Sequence, residues 1–495
     1  MKRFRSKKLL ALAAAVLACP TAALAQTDLE RFERQLEQIH RDNERAIEKS
    51  ISALQRTVVD VGGYYTLSYM AIDDAAQKTH QLVQHDLGAY ARINFDDVHE
   101  FFVRGELTYR DFKTGDAFDK HGDDLIGPSL DRAYYRFDLQ RAMAVYGDKD
   151  IKGNVVVQVG RQLAHWANGL TLSQDIDGAI IEATYYPFSV EVIAGLLRDN
   201  LTDLDPYRPN FSDDTRRSFV GALVSAQVHR KHNVFAYALL QDDNNNDPSR
   251  TDIINGVAAT TRFGYDSHYI GVGARGNLTD RLLYSVEAVY EGGKTYSSGF
   301  LGNPNDGPIT AVLSSRDDIH AWAADVRLDY LFTDPNQTRL SGEVVLASGD
   351  GDRSYHGTSS YGGNKPGTSD RGFNGFGLTN TGLAFAPTVS NLVLVRAGIS
   401  TTPFPNVGFV RNLQVGTDVL VFNKLVSSAP INENTSDTLY LGTEADFYAN
   451  WRITSDLALS MRYGVFFPGK ALAHAPNGYG SDPRHFFYSG VTLSF

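Results

Sequence analysis

Cysteine is all but missing: the 495 residues contain one, Cys19, and it falls inside an amino-terminal stretch that reads as a leader. A mature chain without thiols has no disulfide frame, no thiolate metal site and no catalytic cysteine. Long apolar runs are missing too. Nothing in the body of the chain approaches ~18 consecutive apolar residues, which excludes membrane-crossing helices but not membrane-crossing strands, whose residues are only half apolar. An excess of positive charge is also absent. The net charge is −11, so no global basic surface invites nucleic acid. Catalytic and metal signatures are lacking as well: no His-Glu-x-x-His, no Gly-x-Ser-x-Gly, no P-loop, and no cysteine to join the 13 histidines in a zinc set. Gly271-Val272-Gly273 sits in a predicted strand. The sequence therefore predicts no enzyme, no metal and no cofactor.

What the chain does contain leans towards strands: 44 Gly, 25 Tyr and 27 Phe, with 42% hydrophobic residues. Lys2, Arg3, Arg5, Lys7 and Lys8, then Leu9 to Ala18, then Ala23-Leu24-Ala25 give the basic, apolar and cleavage regions of a signal peptide over 1–25. Cys19 offers a lipoprotein alternative that Pro20 disfavours. Residues 26–57 predict an amphipathic periplasmic helix, with Leu29, Phe32, Leu36, Ile39 and Asn43 spaced as in a coiled coil. Those five are candidate oligomerisation residues, a trimer being one outcome; a helix docked on its own barrel is the other.

From residue 58 the period changes to two. The last strand shows it: Val491, Leu493 and Phe495 fall on one face, Tyr488, Gly490, Thr492 and Ser494 on the other. Alternation marks eighteen such segments: 58–70, 87–95, 100–110, 132–140, 154–162, 178–186, 188–198, 217–228, 233–241, 267–277, 281–291, 319–331, 337–347, 391–403, 412–422, 438–451, 457–466 and 485–495. The connections between them alternate short and long, the long ones, such as 111–131, 242–266 and 348–390, rich in Gly, Asp, Asn and Ser. The expectation is an all-β fold, a transmembrane antiparallel barrel of about 18 strands over 58–495, with short periplasmic turns and long outer loops, in the outer membrane of a Gram-negative bacterium and in contact with its lipid.

Alternation also assigns faces. On 438–451, Leu439, Leu441, Ala445, Phe447 and Trp451 are expected to face lipid, with Tyr440, Glu444, Asp446, Tyr448 and Asn450 inside. A charge on the lipid face costs about 2–4 kcal/mol at midplane, so charges collect inside. The expected pore-lining arginines are Arg92, Arg104, Arg110, Arg132, Arg136, Arg275, Arg327, Arg339, Arg396 and Arg462. Asp418, Glu444 and Asp446 are expected on an acidic wall opposite Arg92 to Arg136, and Glu106, Asp138, Glu191, Glu287, Asp325, Asp329 and Glu343 also face in. The alternative for any one arginine is a bracing ion pair. Asp350-Gly351-Asp352 and the Asp242 to Asp247 run read as solvated outer loops rather than Ca²⁺ sites, since neither has the spaced ligand pattern.

Val157-Gln158-Val159-Gly160-Arg161-Gln162 with Asp175-Ile176-Asp177-Gly178, and Leu346-Ala347-Ser348-Gly349-Asp350-Gly351-Asp352, resemble the "GRQ … DG" and Ser-Gly-Asp stretches of alginate-export-type outer-membrane channels. More distantly, the layout is similar to that of anion- or phosphate-selective trimeric porins. The resemblance implies an eighteen-stranded channel with an arginine-rich conduit for a polyuronate. The expected function is thus passage of anionic solutes, a small molecule or an acidic polysaccharide, through an arginine-bearing lumen. Two other classes stay open: a structural or adhesive barrel tethered through its helix, and a hydrolase with a site at the barrel rim.

Overall fold

The computed structural model describes residues 57–113, 123–197, 208, 216–229, 231–246, 249–305, 307–476 and 480–495. The predicted signal peptide and the heptad residues Leu29, Phe32, Leu36, Ile39 and Asn43 lie outside the described residues. The described residues build one antiparallel ring of eighteen strands, with two small hairpins in the outer connections, Ser249–Ile254 with Val257–Arg262 and Phe300–Leu301 with Thr310–Ala311. In chain order the ring strands are Thr57–Asp73, Thr79–Phe95, His99–Phe112, Asp124–Asp138, Gly153–His165, Ser173–Tyr185, Phe188–Leu197, Arg217–His229, His232–Asp243, Tyr265–Asn277, Leu282–Tyr296, Arg316–Leu331, Arg339–Ala347, Leu392–Thr401, Leu413–Asn423, Tyr440–Arg452, Leu457–Pro468 and Arg484–Ser494. All eighteen predicted segments are there.

Each strand pairs with its neighbours in sequence, and the last pairs with the first, Tyr64 opposite Ser494 and Ile72 opposite Phe486. The carboxy-terminal residue completes the seam, because Gly63 and Phe495 exchange backbone hydrogen bonds at 2.9 and 3.0 Å. Closure removes every sheet edge, which is what a hydrocarbon solvent requires of strands.

Apolar side chains line much of the outward face. Phe101, Val103, Trp322, Val326, Leu328, Val419 and Phe447 are exposed, while residues between them, such as Asp325 and Glu287, are fully buried. One assignment fails. Leu441 is buried and Tyr440 exposed, because a bulge between Phe422 and Asn423 leaves Leu441 without a cross-strand partner and swaps the faces beyond it. Gly442, at φ +153°, makes that bulge, and any side chain there would meet Phe466 at 2.5 Å.

The structure departs from expectation in three places. The first outer connection is only Asp74–Lys78, because the first two strands run longer than their alternation suggests. The connection after Asp138, where the predicted segments leave a gap of 141–153 in place of a short turn, contains a helix, Leu139–Gly147, capped by the Asp138 carboxylate on the Arg141 amide at 3.0 Å. The third departure is the interior, which is not uniformly polar. Towards the long-loop end Phe219, Tyr269, Leu394, Leu420, Phe422 and Phe466 point inward and pack on residues of outer loops.

These faces make opposite predictions for one substitution. Val326→Arg puts a charge in hydrocarbon and should lower unfolding free energy by about 2–4 kcal/mol in denaturant titrations in bilayers. Ser341→Arg, facing the interior, should cost well under that.

Candidate functional site

Strand register puts the side chains of Arg92, Arg104, Arg110, Arg132, Arg136, Arg275, Arg327, Arg339, Arg396, Arg462, Asp418, Glu444 and Asp446 on the inner face. Most of the arginines meet a carboxylate. Arg327 sits 2.7 Å from both Asp325 and Glu343, and Arg396 takes the other oxygen of Glu343 at 3.0 Å. Arg339 pairs with Asp329 at 2.7 Å, Arg104 with Asp131, Arg92 with Glu100 at 3.9 Å and Arg132 with Asp175 at 4.0 Å. Arg462 donates to Asn450 at 2.9 Å and lies over the Tyr448 ring. Arg275 is exposed and has no carboxylate partner among the described residues.

Pairing does not cancel the arrangement. Arg104 stands directly across from Arg132 on the neighbouring strand, and Asp418 directly across from Asp446. Like charges in that position are destabilising. Gly398 makes room for the acidic pair, since a side chain there would collide with the Asp418 carboxylate at 1.9 Å. The acidic pair is not opposite the arginines, as alternation alone suggested. Only four strands separate the two sectors by the shorter way round, the first, second, seventeenth and eighteenth.

Two outer connections turn into the ring. The first, residues 166–172, carries Trp166, Leu170 and Leu172, all buried. Its Asn168 amide donates to Glu287 at 2.8 Å, and its Asn168 carbonyl accepts from Arg327 at 3.2 Å. The second is the inner part of the loop 348–391. Phe376 meets Phe219 edge-on at 4.9 Å, and Phe385 stacks on Phe466 at 4.3 Å. Its backbone is held by wall carboxylates: the Asn374 amide donates to Glu291 at 2.8 Å, and the amides of Leu383, Ala384 and Phe385 converge on Glu444 at 2.5, 2.8 and 2.9 Å. Arg396 donates to the Asn380 carbonyl from the same level. Successive amides around one carboxylate form an anion nest. The two loops also touch each other, Leu172 bridging to Phe376 and the amide of the adjoining Ser173 donating to the Phe376 carbonyl at 2.9 Å.

A family model described as alginate export matches residues 58–483. The chain belongs to the alginate export family. Among solved structures, Pseudomonas aeruginosa OccK5 (OpdH) is similar at a TM-score of 0.51 and 10% identity, covering 90% of this chain and 100% of that one. Acinetobacter baumannii OccAB1 is similar at 0.50 and 12%, covering 88% and 96%. At these identities the likeness is one of fold. No curated protein matches the chain. The ring, the family and the porin-like fold together make this a bacterial outer-membrane protein of a channel family.

The two stretches that resemble the alginate export family have structural roles here. Arg161 and Asp177 face each other across neighbouring strands and form a two-bonded pair at 2.7 and 2.9 Å. Beside them Gly160 lies across from Gly178, and a side chain at Gly160, at φ +133°, would strike the Ala133 carbonyl at 2.1 Å. The Ser348 to Asp352 stretch gathers the base of the inward loop. Phe373 and Asn391 both donate to the Ser348 carbonyl, at 3.1 and 3.0 Å. Asp350 is not a solvated loop residue; it is buried and accepts from the amides of Asp352 and Arg371 at 2.8 and 3.1 Å.

Reading by alternation missed Asp131, because a bulge beside Leu130 turns it inward to Arg104. It also missed Glu291 and Asn168. Glu291 sits in phase with Glu287, which is a usable signal; Asn168 lies in a loop, where alternation says nothing.

Glu444→Ala removes the acceptor of three amides and leaves them buried. Faster amide exchange at Leu383, Ala384 and Phe385 is expected, with a larger single-channel conductance; unchanged exchange would show that the segment is held otherwise. In the same loop, burial, aided by neighbouring Arg353, pushes His356 down to about 3. The unfolded segment then binds a proton below about pH 6.5 that the folded one refuses. Loop stability should fall as pH drops from there, by up to about 1.4 kcal/mol per unit, and His356→Gln should flatten that slope in exchange measurements at pH 7 and 5.

Proposed function

We propose that this outer-membrane protein is a channel for anionic solutes, an acidic polysaccharide among them. The observation that carries the reading is the placing of Arg104 across from Arg132, with Asp418 across from Asp446 in another sector of the same ring. Interleaving the signs would have braced the barrel better, since like charges face to face cost stability. Set in separate sectors, they give the inner wall an uneven field that draws an anion along the arginine side. Ion pairing leaves that wall able to bind. A guanidinium has five N–H donors, and one carboxylate occupies two at most. Arg92 and Arg104 also keep about a quarter of their side-chain surface open, at 28% and 25%.

The inward loops favour a second feature of the same reading, a lumen narrowed towards its outer end. An adhesive barrel with a sealed interior would use those loops as a plug instead. Conductance separates the two. In planar bilayers under a salt gradient the protein should conduct with an anion-selective reversal potential, and Arg104→Glu with Arg132→Glu should move that potential towards the cation side. A wild-type channel that is cation-selective, or that never conducts, would end the anion reading.

A further inference from the structure

Three neighbouring strands, Tyr265–Asn277, Leu282–Tyr296 and Arg316–Leu331, carry their outward side chains in cross-strand rows. Towards the short turns the rows are Val272, Ala288, Ala324, then Ala274, Val286, Val326, then Gly276, Tyr284, Leu328. None of these residues carries a charge. The row above them, Ile270, Tyr290 and Trp322, is exposed and places two aromatic rings where an interfacial girdle belongs. From that row down to Leu282 and Tyr330 is eight residues, roughly 20 Å of height on tilted strands and most of an apolar band.

Above the girdle the face changes. His268, Gly292 and His320 come next, then Asp266, Lys294 and Asp318, with Arg316 beyond, across from Tyr296. These side chains stand on the lipid side of the wall, not in the lumen, at the level where hydrocarbon gives way to headgroups. The outward rows at the short-turn end of the same strands have no counterpart to them. Whatever meets the charges therefore belongs to the outer leaflet.

The charged rows border a groove of about 480 Å³. Its floor is Gly292, where a side chain would meet the His268 ring at 2.6 Å, so glycine keeps the groove open. The Tyr290 hydroxyl and His320 Nδ1, 2.7 Å apart, fix one wall. Lys294 donates to Asp318 at 2.8 Å, and Arg316 donates to Asp266. Ion pairs this exposed contribute little and exchange readily; Lys294 and Asp318 keep 55% and 59% of their side-chain surface open. Asp242 adds a third carboxylate to the two cations, so the groove has no net positive charge with which to collect anions indiscriminately. It sets donors suited to phosphate beside acceptors suited to hydroxyl and amide groups.

We propose that this groove binds the phosphorylated aminosugar headgroup of an outer-leaflet glycolipid. A phosphate lies against Lys294 and Arg316, sugar hydroxyl and amide groups lie against Asp266 and Asp318, and the acyl chains run down past Tyr290 and Trp322. Arginine–phosphate contacts are among the strong charge-assisted hydrogen bonds, and one phosphate can accept from both cations. The carboxylates it displaces turn to the sugar. A phosphatidylglycerol headgroup fits less well, because it brings a phosphate without a ring to fill the groove or an amide to donate to the carboxylates. The inference stands on the outer-membrane location alone and is independent of what the lumen carries.

The test is native mass spectrometry of the full protein in detergent, titrated with bis-phosphorylated lipid A or with phosphatidylglycerol. Lipid A should be retained at concentrations several-fold below those that phosphatidylglycerol needs. Lys294→Glu with Arg316→Glu should remove most of that preference. Gly292→Leu fills the groove without changing its charge and should do the same, whereas Lys231→Glu, a charge change at a short turn, should leave the preference intact. Heat-modified migration on gels checks that each variant still closes its barrel. Equal retention of the two lipids by the wild type, a preference that survives either the double variant or Gly292→Leu, or its loss on Lys231→Glu would overturn the site. Displacement of lipid A by a soluble uronate oligomer would overturn it as well, since the groove would then be reading a free acidic saccharide.

Discussion

Everything in this molecule follows from one requirement: in hydrocarbon no water is available to satisfy a backbone amide or carbonyl, so each must find a partner in the chain. The pairing of Thr57–Asp73 with Arg484–Ser494 meets it by turning a sheet into a ring. Once closed, the ring leaves each strand residue only two directions. Outward lies lipid, which tolerates Val326 and Phe447; inward lies a volume that must be filled with water, side chains or loops. The seam is long, running from Tyr64 to Ile72, and the terminal Phe495 extends it by the reciprocal bonds with Gly63.

The inner face then has two tasks, and they are divided by height. Towards the long-loop end the wall supplies carboxylates to loop amides: Glu287 to Asn168, Glu291 to Asn374, and Glu444 to the run from Leu383 to Phe385. Arginines at a similar level supply donors to loop carbonyls, Arg327 to Asn168 and Arg396 to Asn380. A loop entering a barrel brings backbone polar groups that need partners as surely as strands in lipid do. The charges on the wall are those partners, and the aromatic and aliphatic side chains of the loops fill the space that results. Arg327 and Arg396 were read from the sequence as conduit residues; sharing Glu343 between them, they are also the bracing alternative.

Alternation made the barrel legible because membrane strands obey it strictly, and eighteen segments stood out. It failed wherever one residue breaks the count. At Leu441 a bulge on Gly442 inverted two neighbours, and at Asp131 another bulge brought in a carboxylate that had been passed over. Those errors are local: at Leu441 the neighbouring glycine is the trace, and beside Asp131 the chain leaves none. The inward course of 348–391 was illegible for a different reason. Its Gly, Asp, Asn and Ser content is that of any solvated loop, while Phe373, Phe376 and Phe385 reveal their destination only when the opposite wall is known. The family stretch at Ser348 marked where the loop is gathered without saying which way it goes.

The interior's net charge says little about what it attracts, because register, not composition, decides which charges are neighbours. Arg104 and Arg132 meet because their strands are adjacent and aligned; a one-residue slip would send one of them into lipid. The same is true of Asp418 and Asp446, which Gly398 accommodates by having no side chain. Each like-charged pair can persist only because closure of the ring fixes register more strongly than the repulsion opposes it, the penalty for a charge in hydrocarbon being about 2–4 kcal/mol against roughly 0.2–1 kcal/mol for a cross-strand pair. The ring therefore stabilises a charge pattern that an open sheet could relax by sliding. That pattern gives the short-turn half of the lumen a chemical direction that the tightly packed outer half lacks.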